Sequence, residues 1–323
     1  MYAAPRLFCQ LLLYLLLALP TALLAQQTTL TGTVVDAGSG QPIPFATVEL
    51  PTRQVGVQAT ETGTFTLALP ANLSATDSLR VASLGFMTRM MALPGGGAAP
   101  VRLTLRALPV PLAEVVVRAS TKPLVQLGPG EDAGRFGFSG GNIRGVGSTG
   151  WQVARQFMGG PAGYLKAVRF YVKSSANCGK RTVQAPFRVR LYAADGPGGA
   201  PGTDLLTTSL LTAAGKKGWH EVDVAKYSLR APAAGFFVAM EWLYTDDAFG
   251  CDWTYTDPNS KQKKTTYHYG QTLGGYFEDV SVMTWYLAAG FPWQRFQIRS
   301  NLEGHSKVGP SRNAAIQAII QPD

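Results

Sequence analysis

The sequence has few of the side chains on which metal sites and nucleophilic catalysis usually depend. Its 323 residues include three cysteines and three histidines. A catalytic zinc ion takes three protein ligands, commonly with a His-x-x-Glu pair among them. No glutamate stands three positions after any of the histidines, His220, His268 and His305. Zinc peptidase chemistry of that kind is therefore excluded, and we expect no catalytic residue, no cofactor and no metal ion.

Charged residues are also scarce, at 15% of the chain, and the net charge is +9. The densest basic clusters, Lys216–Lys217 and Lys261–Lys264, fall far short of the continuous basic stripe that nucleic-acid binding needs. We therefore expect solvated loops and no nucleic-acid partner. Weak attraction to anionic lipid or polysaccharide is the alternative.

Only the first residues contain a long hydrophobic run. Arg6 precedes an apolar stretch from Leu7 to Leu19, which ends in a break at Pro20 and a small residue at Ala25. This order is typical of a secretory signal peptide, and the stretch is shorter than the ~20 residues that span a bilayer. We predict a signal peptide over residues 1–25, cleaved after Ala25, and no transmembrane segment after cleavage. A retained membrane anchor is the alternative.

The cysteines then give one candidate disulfide. Cys9 lies inside the apolar stretch and leaves with the signal peptide, so Cys178 and Cys251 remain. An even number of cysteines in an oxidising compartment favours pairing. Two unrelated free thiols are the alternative.

Short alternating segments separated by turn residues begin at Thr29 and predict an antiparallel β-sandwich. In the second segment the alternation assigns one set of side chains to the core: Ala46, Val48 and Leu50. It assigns the other set to the opposite face of the strand: Phe45, Thr47 and Glu49. A sheet packed on one face produces this pattern.

Four segments give this region a specific resemblance: Gly32–Asp36, Gly40–Val48, Glu61–Phe65 and Ser83–Phe86. In order and residue type, they resemble the carboxypeptidase regulatory-like (transthyretin-like) domain, which is abundant in Bacteroidetes envelope proteins. The resemblance implies a β-sandwich over residues 28–107 that serves folding or interaction rather than peptidase chemistry. It also implies an exported protein, located in the periplasm, at the outer membrane or outside the cell.

The next segment, Leu112–Ala119, is similar to the one that follows this domain in TonB-dependent outer-membrane receptors. A receptor would continue into a plug and a barrel of ~22 strands of ~10 residues each. The chain from Thr121 to Asp323 is too short for that, so we do not expect a receptor.

Glycine-rich residues 108–150 are predicted to form a linker. Within them, Gly137–Gly141 formally matches Gly-x-Ser-x-Gly. A nucleophile elbow needs a buried strand before the serine and a helix after it, and neither flank fits. We therefore do not expect a serine hydrolase.

Period-2 alternation returns in residues 151–323 and predicts a second, jelly-roll-like antiparallel β-sandwich. In one of its strands the core set is Phe187, Val189 and Leu191. The opposite set is Arg188, Arg190 and Tyr192. The whole chain is thus predicted to be all-β. The second region looks like the domain that accompanies the regulatory-like domain in small Bacteroidetes envelope proteins, a resemblance that implies no chemistry. The final segment, Asn313–Ile320, fits a closing strand or a short helix.

Aromatic residues concentrate between Tyr244 and Trp293, and three of them are candidates for stacking on a ligand: Trp253, Tyr267 and Trp285. Jelly rolls commonly bind sugars on exposed rings. The alternative, which we favour, is that these rings fill the core.

Four aspartates in the same region could hold Ca²⁺, but their spacing matches no loop motif: Asp246, Asp247, Asp252 and Asp257. His220 shares a strand face with Val222 and Val224, which predicts a buried or edge histidine.

The sequence as a whole favours a non-catalytic, exported interaction module whose partner is an envelope protein or a surface glycan. The alternative is a carbohydrate-active enzyme or esterase carried by the second sandwich.

Overall fold

The computed structural model describes residues 28–94, 99–109, 122–130, 133–140, 150–175, 178–278, 281–296 and 311–323. Over these residues the chain is all-β, with short 3-10 turns between strands and no α-helix, which confirms the predicted fold class. The predicted signal peptide, the Leu112–Ala119 segment and His305 lie outside the described residues. Within the described residues, no helix is long and apolar enough to cross a membrane.

The first sandwich has seven strands: β1 (Thr29–Asp36), β2 (Thr47–Leu50), β3 (Val55–Gln58), β4 (Thr64–Ala68), β5 (Ser78–Ala82), β6 (Arg89–Ala92) and β7 (Val101–Leu105). They form a three-stranded sheet in the order β4-β1-β7 and a four-stranded sheet in the order β3-β2-β5-β6. Neighbouring strands are antiparallel except β1 and β7, which are parallel. The predicted strands therefore form, with one parallel pair that the sequence did not indicate.

Between these two sheets lies a closed apolar core. Ala46, Val48 and Leu50 are fully buried in it, as the alternation predicts. Glu49, on the opposite face of β2, and Phe45, which precedes the strand, are also buried, at 7% and 3% exposure. A second surface must therefore cover the outer face of β2.

The second sandwich contains the remaining strands: β8 (Val125–Leu127), β9 (Phe136–Ser139), β10 (Gln152–Phe157), β11 (Gly163–Lys173), β12 (Phe187–Ala193), β13 (Leu210–Thr212), β14 (Gly218–Asp223), β15 (Phe236–Trp242), β16 (Gly250–Thr256), β17 (Lys263–Tyr269), β18 (Thr272–Glu278), β19 (Thr284–Leu287), β20 (Gln294–Arg295), β21 (Ser311–Ala314) and β22 (Ile316–Pro322). A six-stranded sheet has the order β13-β12-β15-β10-β19-β20. A seven-stranded sheet has the order β21-β18-β11-β22-β8, with β14 paired to β11 and β9 to β18. Strands β16 and β17 form a separate hairpin.

Large side chains from both sheets fill the space between them, among them Phe170, Phe187, Trp242 and Ile316. Every neighbouring pair of strands in these sheets is antiparallel. The C-terminal segment is strand rather than helix, because β22 pairs with the long central strand β11.

Two parts of the predicted linker are strands of the second sandwich. Strand β8 pairs with β22, and β9 pairs with β18. Phe138 of β9 is 7% exposed and lies in the main core. Glycines around these short segments hide their alternation in the sequence, so composition alone indicates a linker. Ser139 of the Gly-x-Ser-x-Gly match is the last residue of β9.

The predicted disulfide is confirmed. Cys178 and Cys251 are bonded across a sequence separation of 73 residues. The bond attaches the start of hairpin β16–β17 to the loop that follows β11.

Candidate functional site

The outer face of β2 is covered by the second sandwich. Gln58 Nε2 donates to Glu241 Oε1 at 2.9 Å, and the Gly290 amide donates to Glu49 Oε2 at 2.6 Å. Both hydrogen bonds are buried. The two sandwiches are therefore joined by hydrogen bonds between polar groups that are shielded from solvent.

Glu241 is the centre of a buried charge network at this contact. It is 1% exposed and accepts hydrogen bonds from Arg188 Nη1 at 3.3 and 3.4 Å and from Arg190 Nη1 at 3.1 Å. Arg190 also pairs with both oxygens of Asp204, at 2.8 and 3.0 Å. Buried charges are tolerated when they are paired and hydrogen-bonded, and two guanidinium groups here face two carboxylates.

Glycines allow the two backbones to come close on either side of this network. A Cβ on Gly290, whose φ is +85°, would lie 2.7 Å from backbone atoms of Val55. A Cβ on Gly85, whose φ is +83°, would lie 2.6 Å from the Thr207 carbonyl oxygen. Any larger residue would clash at both points and would adopt a backbone conformation that L-residues rarely take. Glycine is therefore required for the domains to dock.

A cleft of about 530 Å³ opens between these two contacts and is lined by residues of both sandwiches. The first sandwich contributes Thr47, Glu49, Arg80, Gly85 and Phe86, among others. The second contributes Gln152, Arg188, Arg190, Tyr192, Asp204, Thr207, Phe291 and Trp293, among others. We refer to this space as the interdomain cleft.

Paired charges and aromatic rings set the chemistry of the interdomain cleft. Arg80 pairs with Glu49, and Arg190 pairs with Asp204. The side chains of Arg80 and Asp204 remain 41% and 33% exposed. Phe291 is 38% exposed at the same cleft. The cleft thus offers solvent-accessible polar groups whose charges are already balanced.

The Tyr192 side chain lines the cleft and is held in place by a hydrogen bond and a ring contact. Its hydroxyl donates to Gln152 Oε1 at 2.6 Å, and its ring meets the Trp293 ring edge-on at 5.6 Å between centroids. Burial raises the pKa of Tyr192, so its phenol stays protonated and acts as a donor. Burial also raises the pKa of Asp204, while the neighbouring Arg190 opposes that effect.

The three predicted stacking residues do not line the interdomain cleft. Tyr267 and Trp285 are buried, at 5% and 7% exposure. Trp253 is half-buried on β16, with its ring 5.1 Å from that of Tyr255. Trp253 lies opposite Thr266 in the hairpin, so it and Tyr267 occupy opposite faces. The structure therefore does not bring these three rings together, and a stacking role for them stays a prediction.

Three of the four aspartates considered for calcium accept hydrogen bonds from groups nearby in the second sandwich. Asp246 Oδ1 accepts from the Ala248 amide at 2.8 Å, and Asp247 Oδ1 accepts from the Tyr267 hydroxyl at 3.1 Å. Asp257 Oδ1 accepts from the Asn259 amide at 2.8 Å. In the part of the chain that the structure describes, no group of three His, Cys, Asp or Glu side chains could hold a metal ion.

His220 lies half-buried on β14, in line with the expected buried or edge position. Its Nε2 is 2.7 Å from Thr212 Oγ1, and its ring meets Phe187 edge-on. Burial lowers the pKa of His220. It lies outside the interdomain cleft, and its surroundings are those of a packed side chain.

The interdomain cleft leaves no direct signal in the sequence. Alternation along β12 assigns Arg188, Arg190 and Tyr192 to a solvent-facing surface, because that pattern depends on one domain alone. One signal was available: Glu241 is the only charged residue in the otherwise apolar strand β15. A carboxylate at such a position predicts a buried cation, and β12 supplies two.

Comparison with known proteins bears on the first sandwich. Residues 29–106 match the family model of the carboxypeptidase regulatory-like domain, which confirms that this chain contains that domain. None of the curated proteins is similar to the chain at a significant level.

Two solved structures share a distant likeness. One contains the cysteine protease and lectin-like domains of Cwp84, a surface layer associated protein of Clostridium difficile, with 17% identity, a TM-score of 0.33, and coverage of 55% of this chain and 33% of that one. The other is clostridial Cwp84 after propeptide cleavage, with 14% identity, a TM-score of 0.38, and coverage of 83% and 52%. The chain thus spans a third to a half of these proteins.

Proposed function

We propose that the protein is an exported, non-catalytic binding protein of a Bacteroidetes cell envelope, and that its interdomain cleft holds a segment of an envelope protein or a surface glycan. The observation that carries this proposal is a preformed cleft whose charged groups hold the two domains together. Ligand sites are typically concave, preformed and lined by rings with a few polar groups. The interdomain cleft has these properties.

Hydrogen bonds between the domains support a cleft that is preformed for ligand binding. Hydrogen bonds from Gln58 to Glu241 and from Gly290 to Glu49 fix the domains before any ligand arrives. A preorganised site avoids part of the entropy cost of ordering loops and side chains on association. We therefore expect a ligand to meet a cleft already in its binding shape.

The carboxylates of the cleft argue against hydrolysis. Glu49 is held by Arg80 and by the Gly290 amide, and Asp204 is held by Arg190. A glycosidase needs one carboxyl group as an acid and a second, about 5 to 9.5 Å away, as a base or nucleophile. Both carboxylates are thus engaged in ion pairs, and neither is free to act as a base or nucleophile.

The enzyme alternative has one supporting observation. Burial raises the pKa of Asp204, and a raised pKa is typical of a general acid. Chromogenic glycosides and p-nitrophenyl esters test it directly. We expect no turnover above background. Hydrolysis that Asp204→Asn abolishes in a folded protein would establish the enzyme and end the binding proposal.

Binding is tested on the secreted protein with a panel of neutral oligosaccharides, acidic oligosaccharides and extended peptides, by titration calorimetry. We expect saturable binding that weakens in Phe291→Ala. Phe277→Ala is the matched control, because Phe277 is 40% exposed against 38% for Phe291 and lies outside the cleft. Equal effects of the two substitutions would contradict a site in the cleft. Export is tested by N-terminal sequencing of the secreted protein, which we expect to begin at Gln26.

A further inference from the structure

We propose that the interdomain cleft binds a neutral oligosaccharide segment, with sugar rings packed on Trp293 and Phe291 and sugar hydroxyls hydrogen-bonded to Arg80 and Asp204. This inference rests on the proposed function, because it names the ligand class of the same cleft. Four features of the cleft support it: its balanced charge, its accessible polar groups, its aromatic rings and the topology of the strands around it.

The charge of the site favours a neutral ligand. Its three guanidinium groups belong to Arg80, Arg188 and Arg190. They are paired with three carboxylates, those of Glu49, Asp204 and Glu241. An anionic ligand would meet Glu49 beside Arg80, and a cationic one would meet Arg190 beside Asp204, so neither finds an uncompensated opposite charge. A neutral polar ligand leaves every ion pair intact.

The accessible polar groups suit hydroxyls. Arg80 directs one nitrogen to Glu49 and has no other partner among the described residues, so further N–H groups can donate. Each Asp204 oxygen accepts from Arg190, and a carboxylate oxygen has a second lone-pair site. A sugar hydroxyl both donates and accepts, and therefore matches a donor and an acceptor in one cleft.

The rings suit the apolar faces of sugars. Trp293 is half-buried, with Tyr192 against it edge-on, and Phe291, two residues earlier, is exposed at the same cleft. Aromatic side chains contribute large apolar surfaces on which other ring faces pack. A volume of about 530 Å³ is enough for a short oligosaccharide segment rather than a long chain.

Strand topology argues against a peptide. Extended peptides commonly bind by adding a strand to an open sheet edge. Five strands contribute to the lining of the cleft, β2, β5, β10, β12 and β19, and each lies between two neighbours in its sheet. A peptide in the cleft would find no row of unpaired backbone groups. A glycan does not need one.

The experiment titrates the secreted protein with neutral oligosaccharides of glucose, mannose, galactose and xylose, and with acidic oligosaccharides and extended peptides, at 50 and 500 mM NaCl. We expect binding to one or more neutral sugars with a Kd that changes less than about twofold with salt, since no ligand charge is screened. Phe291→Ala should weaken it about tenfold, the loss of one ring contact, and Phe277→Ala less than about twofold.

Trp293 provides a second test in case a substitution disturbs folding. Trp293→Ala should abolish detectable binding, while Trp293→Phe keeps a ring and should retain it within about tenfold. Trp219→Ala is the matched control, because Trp219 is half-buried like Trp293 and lies outside the cleft, and it should bind as the wild type does. Trp253→Ala tests the hairpin as an alternative site. Circular dichroism and the thermal midpoint show whether each variant is folded.

The outcomes separate this inference from the proposed function. Peptide binding that Phe291→Ala weakens, with no sugar bound, overturns the glycan inference and leaves the proposed function standing. Preference for acidic oligosaccharides with strong salt dependence also overturns it. Sugar binding that Trp253→Ala removes and Phe291→Ala spares overturns both, since the site is then elsewhere. No binding to any member of the panel overturns the glycan inference.

Discussion

Neutralising Glu241 removes the carboxylate that joins the two sandwiches. In Glu241→Gln the shape of the side chain is kept, and the hydrogen bond from Gln58 can still form. The change leaves Arg188 and Arg190 with Asp204 as their one remaining counter-charge. Arg188 is 3% exposed, so water cannot reach its guanidinium group to solvate the charge that Glu241 had compensated.

The expected magnitude follows from this burial. Removing one partner of a buried ion pair costs about 3 to 5 kcal/mol, because the other charge is left uncompensated. Asp204 retains part of the compensation, which places Glu241→Gln near the lower end, at about 3 kcal/mol. The matched control is Glu221→Gln. Glu221 is 58% exposed and lies 3.5 Å from Arg169, so we expect a loss below about 1 kcal/mol.

Urea unfolding followed by tryptophan fluorescence and by circular dichroism measures both variants. Gln58→Leu removes the hydrogen bond from the first domain and should cost about 1.5 to 3 kcal/mol, the range for hydrogen bonds to charged groups. Since Gln58 and Glu241 are in contact, their double variant should lose less than the sum of the two single losses. A Glu241→Gln loss no larger than that of Glu221→Gln would refute the assignment of a stabilising buried network.

Three other expectations concern single features of the second and first sandwiches. Replacing Cys178 and Cys251 by serine should lower the free energy of unfolding by about 4 kcal/mol, given the long loop that the bond closes; a urea midpoint that dithiothreitol leaves unchanged would contradict this. Burial lowers the pKa of His220, so stability should fall as the pH drops from about 6.5 toward the folded-state pKa, and His220→Gln should flatten that part of a thermal-shift pH profile. Hydrogen bonds from Arg53 and from the Ser74 amide lower the pKa of Asp77, so the stability that Asp77→Asn removes at pH 7 should shrink as the pH falls below about 3.9. A difference that stays constant down to pH 2 would contradict the Asp77 assignment.

Local alternation predicted the strands well because each sandwich buries one face of each sheet. Val48 and Leu50 of the first domain and Val189 and Leu191 of the second are fully buried, as their period-2 positions indicate. The pairing of Cys178 with Cys251 also followed from counting alone. The strand pattern depends on neighbouring residues and the disulfide on the number of cysteines, and one sequence contains both kinds of information.

The opposite faces could not be predicted in the same way. Glu49 and Arg188 are polar residues at outward positions, and alternation within one domain assigns both to solvent. They are buried because the other domain covers them. Contacts between residues as far apart as Gln58 and Glu241 leave no periodic signal. A strand face that carries polar and charged residues can be exposed to solvent or buried in a charged interface, and the sequence pattern is the same in both cases.

Residues of both sandwiches form the candidate site, so no pattern within one domain indicates it. Arg80 and Phe86 belong to the regulatory-like domain, whereas Asp204 and Trp293 belong to the second sandwich, and the interdomain cleft needs all four. Neither domain alone would form the cleft or keep its charges paired. Under the proposed function, the resemblance of the first domain to a family does not specify the ligand, because much of the cleft lining comes from the second sandwich. On the same proposal, we expect changes in the loops that carry Asp204 and Trp293 to alter ligand choice while the core and the family resemblance stay the same.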